Sequence, residues 1–203
     1  EGIKETRRVK ADKIRDLDLG KTALSQQEED EFKEMLVDNM DTLAFDISEL
    51  GHCTLAPMKM RVDETQGICS TRPYRYSPQK MDIIDEQIQQ LLDLDVIEPS
   101  ESAWRSPIVV VTKKDGKPRI CTDFRVLNLL TAKDKYPMPT ARSLFLYMAS
   151  RKPTVFTALD LLSGYHQCEL HEDSRKYTCF ESSAGVWQWK RIPFGLVGAP
   201  WQF

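Results

Sequence analysis

One aspartate, Asp160, stands out because it follows directly after an apolar segment. Residues 153–159 are rich in β-branched and aromatic side chains, which predicts a buried central strand that ends at this carboxylate. An ionised carboxylate without a partner in such a place costs several kcal/mol, and a bound cation would remove that cost. Asp160 is therefore a candidate metal ligand. The alternative is that it only caps the helical turn that begins near Ser163.

Four further motifs accompany the TALDLLSGYHQ segment that contains Asp160. They are DVIEPS at 95–100, WRSPIVVV at 104–111, DGKPRICTDFRVLN at 115–128 and KRIPFGL at 190–196. Taken in this order, the five segments resemble the reverse transcriptases of gypsy-type long-terminal-repeat retrotransposons. The first two are similar to the entry into the fingers of those polymerases. The resemblance extends from the region of Thr71 to Phe203.

This resemblance implies an α+β fold, with reverse-transcriptase-like fingers and the incomplete palm of a right-hand polymerase after a helical linker region. We expect the fingers over residues 71–152 and a partial palm over residues 153–203, truncated before the aromatic-x-Asp-Asp motif of the family. An N-terminal helix and an edge strand that lead into the polymerase are expected over residues 25–70. The charged, nearly aperiodic residues 1–24 are expected to form a flexible linker.

The family transfers a nucleotidyl group to a primer 3′-hydroxyl with two divalent ions, Mg²⁺ or Mn²⁺, held by carboxylates. The resemblance implies that Asp160 is the first of three metal carboxylates, and that the backbone carbonyl of Leu161 is a further ligand. The other two belong to an adjacent Asp pair, and no two aspartates are adjacent in this sequence. One carboxylate cannot organise two metals, so the isolated chain is predicted to be inactive.

The resemblance also implies residues that bind the nucleotide. Tyr165, preceded by Ser163 and Gly164, matches the aromatic ring that lies beneath the incoming sugar and excludes a ribose 2′-hydroxyl. Judged from its residues alone, the segment fits equally a Tyr165 ring in the core with its hydroxyl at the surface. Phe194 and Gly195 match an aromatic-glycine pair that lies against the templating and incoming nucleotides.

A predicted β-hairpin carries the candidate triphosphate ligands. Two β-prone runs, residues 108–112 and 119–122, are joined across an Asp-Gly step, which is a strong hairpin signal. Related polymerases cover the triphosphate with this hairpin, which implies contacts from Arg119 and from either Lys113 or Lys114. The planar guanidinium of arginine suits phosphate oxygens. The sequence does not separate the two lysines.

The charge of the chain is unevenly distributed around a net value of −3. Residues 12–102 hold 21 acidic and 9 basic residues, whereas residues 103–152 hold 11 basic and 3 acidic ones. A basic segment of this density suits phosphate contacts, although it is also compatible with a solvated basic face.

Composition excludes several classes of protein. No apolar run is long enough to span a membrane, and the five widely spaced cysteines make neither a disulfide framework nor a paired zinc motif. The sequence therefore predicts a soluble protein without a membrane partner. It would act inside the cell, in the cytoplasm or nucleus, as part of a retrotransposon particle.

The elements that must position these residues have clear local signals. Ser25 and Glu28 form a capping box before an apolar stripe, and Ser77-Pro78 is typical of a helix start. We expect an edge strand over residues 53–60, a short helix over residues 141–149, and two strands around residues 177–181 and 186–191.

Two hypotheses about function follow. The first is that the chain is part of an RNA-directed DNA polymerase of a retrotransposon. Its partners would be an RNA or DNA template with its primer, deoxynucleoside triphosphates, and the rest of the polyprotein with the remaining palm, thumb and RNase H. The second is a domesticated or decayed relic that binds nucleic acid or protein without catalysis. The intact Asp160, Arg119, Tyr165 and Phe194 disfavour decay.

Overall fold

The chain divides into two units, Glu1–Glu49 and Leu50–Phe203. The computed structural model describes residues 2–21, 23–112, 116, 118–133, 139–154 and 156–202. The division after Glu49 differs from the predicted boundaries after residues 24 and 70. The boundary between fingers and palm stays a prediction.

The first unit contains two helices, α1 (Gly2–Arg15) and α2 (Gln26–Asp38). Helix α1 corrects the prediction of a flexible linker over residues 1–24. Its apolar side chains Ala11 and Ile14 are buried with Met40, and Arg15 pairs with Glu34 on α2 at 2.8 Å. The apolar residues of this helix are few and lie in a highly charged segment, and the sequence analysis did not recognise the stripe that they form.

Helix α2 begins as predicted. The Ser25 hydroxyl accepts a hydrogen bond from the backbone N–H of Glu28, and the Glu28 carboxylate accepts one from the backbone N–H of Ser25 at 2.7 Å. These reciprocal bonds satisfy two N–H groups that a helix start leaves unpaired. They also hold the pKa of Glu28 below its usual value.

The second unit has its strands in three small sheets among the described residues. The strands are β1 (Cys53–Met58), β2 (Ile97–Pro99), β3 (Ile108–Thr112), β4 (Pro118–Thr122), β5 (Cys168–Leu170), β6 (Phe180–Ser182) and β7 (Gly185–Trp189). Strands β1 and β5 pair in parallel. Strand β7 pairs antiparallel with both β2 and β6, and β3 and β4 form an antiparallel hairpin.

The described part of the second unit also contains α-helices. They are α3 (Pro78–Asp93), α4 (Arg125–Leu130), α5 (Ala141–Arg151), α6 (Gly164–Gln167), α7 (Glu172–Arg175) and α8 (Ala199–Gln202). Short 3-10 helices lie at Met40–Thr42, Ile47–Glu49, Glu64–Gln66 and Lys176–Thr178. The mixture of helices and mainly antiparallel strands confirms the predicted α+β class.

Among the described residues, one apolar cluster joins most elements of the second unit. Ile84 and Ile88 of α3, Leu127 of α4 and Trp189 of β7 are buried in it, together with Phe124. This cluster fixes the hairpin and α4 against the segment that follows β7. The position of the candidate site is therefore set by the core.

Most of the predicted elements are confirmed. The edge strand over residues 53–60 is β1, α3 begins at Pro78, and the hairpin aligns Val111 with Arg119. The strand expected around residues 177–181 begins later, at Phe180, because residues 176–178 form a 3-10 helix. The neighbouring strand, expected around residues 186–191, is β7.

The buried central strand expected over residues 153–159 is wrong. Among the described residues of this segment none lies in a strand, and Phe156 and Leu159 are 67% and 89% exposed. A strand becomes central only when neighbours pair with both of its edges, and no described strand pairs with this segment. Helix α5 forms as predicted, but Phe145 and Tyr147 on it are also exposed.

Candidate active site

A pocket of about 270 Å³ lies beside the segment that follows α5. Two chain segments far apart in sequence form it. They contribute Leu159, Asp160, Leu161, Gly164, Tyr165 and Phe194. All of these except Leu159 were predicted to be site residues. The structure thus brings the TALDLLSGYHQ and KRIPFGL motifs together in one pocket.

Asp160 presents an exposed carboxylate in this pocket. No hydrogen bond or ion pair joins it to another described residue, and α6, with Ser163 as its N-cap residue, has no side-chain cap. Asp160 therefore does not cap this turn. Its exposure also removes the predicted cost of a buried charge, so the case for a cation rests on its place in the pocket.

Ser163 makes the sharp turn that follows the aspartate. Its backbone is left-handed, with φ at 46° and ψ at 48°, a conformation that costs a non-glycine residue about 1–2 kcal/mol. The turn is held by the Ser163 carbonyl, which accepts from the His166 N–H at 2.8 Å, and by the Leu162 carbonyl, which accepts from the Gln167 side chain at 2.8 Å. Strain of this kind concentrates at functional sites.

The turn places Tyr165 between the core and the pocket. Its ring packs against the apolar cluster on one side and lines the pocket on the other. It meets Phe194 edge to face, with ring centroids 5.3 Å apart. The sequence left open whether Tyr165 is a core ring or part of the pocket wall. In the structure it is both.

Phe194 and Gly195 form a turn after the buried Ile192 and Pro193. Gly195 has φ at 93°, a left-handed conformation that side chains other than glycine rarely adopt. A Cβ atom there would meet Thr122 and Phe124 only at ordinary contact distance. Glycine is therefore required by the backbone conformation rather than by space.

Arg119 approaches the pocket from strand β4. Its guanidinium carbon lies 5.3 Å from the centre of the Phe194 ring, within the range of a cation–π contact. Arg119 is exposed, so its donors face solvent beside the pocket. Lys113 and Lys114 lie outside the described residues, and their roles stay predictions.

His166 is a residue of the site that the sequence analysis missed. Its ring stacks on Trp189 at 5.3 Å and meets Phe194 edge to face at 4.9 Å. Its Nε2 atom is buried and has no hydrogen-bond partner in the described part of the chain. Burial, with the nearby charges of Arg191 and Arg119, lowers the pKa of His166 to about 4. The imidazole is therefore neutral near pH 7.

The described residues contain no group of three or more His, Cys, Asp or Glu side chains suited to a metal ion. His52 bonds to Glu169 at 2.8 Å, and Cys53 lies opposite Cys168 in the β1–β5 register, but these contacts make no such group. A two-metal centre needs several carboxylates, and Asp160 offers one. By themselves, the described residues do not fit this centre.

The comparisons with known proteins agree with the motifs. Residues 111–203 match the family model described as reverse transcriptase (RNA-dependent DNA polymerase). The chain is 32% identical over 170 residues to the retrovirus-related Pol polyprotein from transposon 412 of Drosophila melanogaster, covering 81% of this chain and 14% of that protein. It is 34% identical over 175 residues to the Drosophila melanogaster gypsy Pol polyprotein, covering 83% and 17%.

The fold has solved relatives as well. Prototype foamy virus protease-reverse transcriptase aligns with a TM-score of 0.74 and 20% identity, over all of this chain and 26% of that one. A foamy viral protease-reverse transcriptase in complex with an RNA/DNA hybrid aligns with a TM-score of 0.72 and 17% identity, over 98% and 26%. At these identities the likeness concerns the fold alone.

The fold is that of part of a right-hand polymerase. The chain belongs to the reverse transcriptase family and is a fragment of the kind found in retroelement Pol polyproteins, which confirms the resemblance to gypsy-type elements. It spans only about a seventh to a sixth of the two Drosophila polyproteins. None of its described helices is both long enough and apolar enough to cross a membrane.

Proposed function

We propose that the chain supplies the fingers, over residues 71–152, and the first part of the palm, over residues 153–203, of a retrotransposon RNA-directed DNA polymerase. The observation that carries this proposal is the pocket in which Asp160, Tyr165 and Phe194 meet. These residues come from two family motifs far apart in sequence. No observation favours the alternative of a decayed relic.

Asp160 contributes one carboxylate to the catalytic centre in this proposal. Divalent ions such as Mg²⁺ or Mn²⁺ would stabilise the attacking and leaving oxygens of nucleotidyl transfer when bound. The exposed Asp160 carboxylate and the neighbouring Leu161 carbonyl would hold part of the coordination. The remaining carboxylates would come from elsewhere in a longer polypeptide, since the chain corresponds to a small share of its relatives.

The aromatic wall of the pocket would recognise the incoming deoxynucleotide. The Tyr165 ring is fixed by Phe194 and by the core, so it cannot easily yield to a larger sugar. A ribose 2′-hydroxyl at this wall would clash, whereas a deoxyribose would pack against it. Gly164 and Gly195 would leave room for close backbone approach, and Ser163 would hold the turn.

Arg119 would bind the triphosphate beside this wall, with Lys113 or Lys114 on the same hairpin. Its guanidinium is exposed and is oriented by the face of Phe194. A planar fork held in this way loses less freedom on binding phosphate oxygens. Tyr165 would thus contact the nucleotide sugar and Arg119 its phosphates, and both side chains contact Phe194.

The nucleic acid partner would be a primer bound to an RNA or DNA template. The basic segment over residues 103–152 supplies the charge for contacts with its phosphates. Two of the foamy viral relatives were solved with an RNA/DNA hybrid and with double-stranded DNA. The site of action would be the cytoplasm or nucleus, within a retrotransposon particle.

Binding of a labelled primer-template, followed by fluorescence anisotropy over a range of salt concentrations, tests this proposal. Log affinity should fall linearly with log salt, and Arg142→Ala, an exposed change in the basic segment, should make the slope shallower by about one. Lys21→Ala, an exposed change in the first unit, is the control and should leave the slope unchanged. Salt-independent binding, or a salt slope that Arg142→Ala leaves unchanged, would remove the basis for the proposal.

A further inference from the structure

Asn128 uses both ends of its side-chain amide on the turn that carries Phe194 and Gly195. Its Nδ2 donates to the Gly195 carbonyl at 2.8 Å, and its Oδ1 accepts from the Val197 N–H at 2.9 Å. The two partners are 67 and 69 residues away in sequence. Among the described residues, this amide is a direct polar link between α4 and the pocket wall.

Helix α4 is a firm base for this contact. Phe124 and Leu127 are buried in the core on either side of the first turn, and the Asn128 N–H donates to the Phe124 carbonyl at 2.7 Å. Asn128 itself is half-buried, which strengthens its hydrogen bonds relative to those of an exposed amide. The side chain therefore holds the turn against an element that cannot readily move.

The turn that Asn128 holds carries Phe194, which lines the pocket. Gly195, whose carbonyl Asn128 binds, has a left-handed backbone, and the residue before it is Phe194. The Phe194 ring in turn contacts Tyr165, His166 and Arg119. A rotation of the Gly195 peptide would therefore displace the ring that all three side chains contact.

We propose that Asn128 is a positioning residue that sets the distance between Phe194 and Tyr165 and so the fit of the pocket to a deoxynucleotide. This inference rests on the function proposed above. Asn128 touches neither the substrate nor Asp160 in this scheme, and it acts only through the turn. Removing one of its two hydrogen bonds should therefore disturb the turn less than removing both.

Two substitutions separate the bonds. Asn128→Asp keeps an acceptor for the Val197 N–H but places a carboxylate oxygen against the Gly195 carbonyl, so one bond is kept and the other becomes repulsive. Asn128→Leu has a similar shape and removes both. Leu129→Ala, on the same helix and 83% exposed, is the control for general effects on α4.

Nuclear magnetic resonance of the 203-residue chain measures the result directly. Amide exchange of Val197 should be about tenfold faster in Asn128→Leu and near normal in Asn128→Asp. The nuclear Overhauser contact between the Tyr165 and Phe194 rings should weaken in both variants. Leu129→Ala should change neither reading. Buried core signals, such as those of Leu127 and Trp189, report whether each variant is folded.

A titration with dTTP and Mg²⁺ adds the functional reading. In the wild type, the signals of Tyr165 and Phe194 should shift, and the dissociation constant should rise about tenfold in Asn128→Leu and less in Asn128→Asp. Unchanged Val197 exchange or an unchanged ring contact in both variants would overturn the positioning role. A wild type that shows no shift with dTTP would count against the proposed function, while exchange and ring contact still decide the role of Asn128.

Discussion

Phe194 is the residue on which the other side chains of the site converge. Tyr165 and His166 meet it edge to face and Arg119 lies over its ring, so three groups from two other segments share one ring. Aromatic pairs of this kind contribute about 0.5–1.5 kcal/mol beyond the area that they bury. A change at any of the four is therefore expected to reach the pocket.

Tyr165 should discriminate between sugars in a polypeptide that carries the complete catalytic centre. Tyr165→Val opens space for a 2′-hydroxyl, so ribonucleotide incorporation should rise relative to deoxyribonucleotide incorporation. Asp160→Asn should abolish both, because either substrate needs the metal ligand. The measurement is the ratio of catalytic efficiencies for a matched ribo and deoxyribo pair. An unchanged ratio would mean that Tyr165 acts only as a core ring.

His166 should make the folded chain sensitive to acid. Its pKa is about 4 when folded and 6.5 when unfolded, because burial and two arginines disfavour the imidazolium. Below pH 6.5 the unfolded chain binds a proton that the folded chain does not. The free energy of unfolding should therefore fall by up to about 3 kcal/mol between pH 6.5 and 4, and then level off.

The matched variant for this prediction is His166→Phe. The ring lies between Trp189 and Phe194 and its Nε2 has no partner among the described residues, so an apolar ring preserves the packing. Urea unfolding of both proteins across this pH range isolates the histidine from the carboxylates that also titrate in acid. If the free energy of unfolding falls equally with pH in both proteins, His166 binds a proton in the folded chain as readily as in the unfolded chain. That outcome would contradict the prediction.

At the scale of elements, the sequence predicted well those helices and strands whose ends are fixed by residues close by in the chain. Helix α2 has its capping box, α3 its Ser-Pro start, and the β3–β4 hairpin its Asp-Gly step. Helix α1 depends instead on partners elsewhere, since Arg15 pairs with a glutamate 19 residues away. The segment over residues 153–159 has a strand composition, but a central strand also needs neighbours.

The two helix starts differ in a way that can be measured. Ser25 caps α2 through its side chain, whereas the Ser77 side chain makes no cap hydrogen bond on α3. Ser25→Ala should therefore cost the first unit about 1 kcal/mol, and Ser77→Ala should cost the second unit only a few tenths. Urea unfolding followed by circular dichroism compares them. A larger loss from Ser77→Ala would contradict the assigned caps.

At the scale of the whole molecule, the motifs predicted which residues meet but not what holds them. Asp160, Tyr165 and Phe194 lie within family motifs, so their shared pocket could be anticipated. His166 lies in the same motif, but only the fold shows that its ring is enclosed by Trp189 and Phe194. Asn128 bonds to a turn 67 residues away, and no local pattern encodes such a contact.

The catalytic competence of the chain follows from its carboxylates. The sequence has no adjacent Asp pair, and the described residues contain no metal-binding group of three acidic, His or Cys side chains. Because Asp160 is exposed and no second carboxylate of the described residues lines its pocket, it should bind Mg²⁺ only weakly. Two-metal nucleotidyl transfer is therefore not expected of these 203 residues alone.

Templated primer extension by the purified 203-residue chain is therefore expected to be absent. The assay supplies primer-template, all four deoxynucleotides and either Mg²⁺ or Mn²⁺, with Asp160→Ala as the matched background. Binding of the primer-template should persist in both proteins, because the basic segment is unchanged. This separates a chain that cannot catalyse from one that is unfolded. Extension above the Asp160→Ala background would show that the chain holds a catalytic centre which its carboxylates do not reveal.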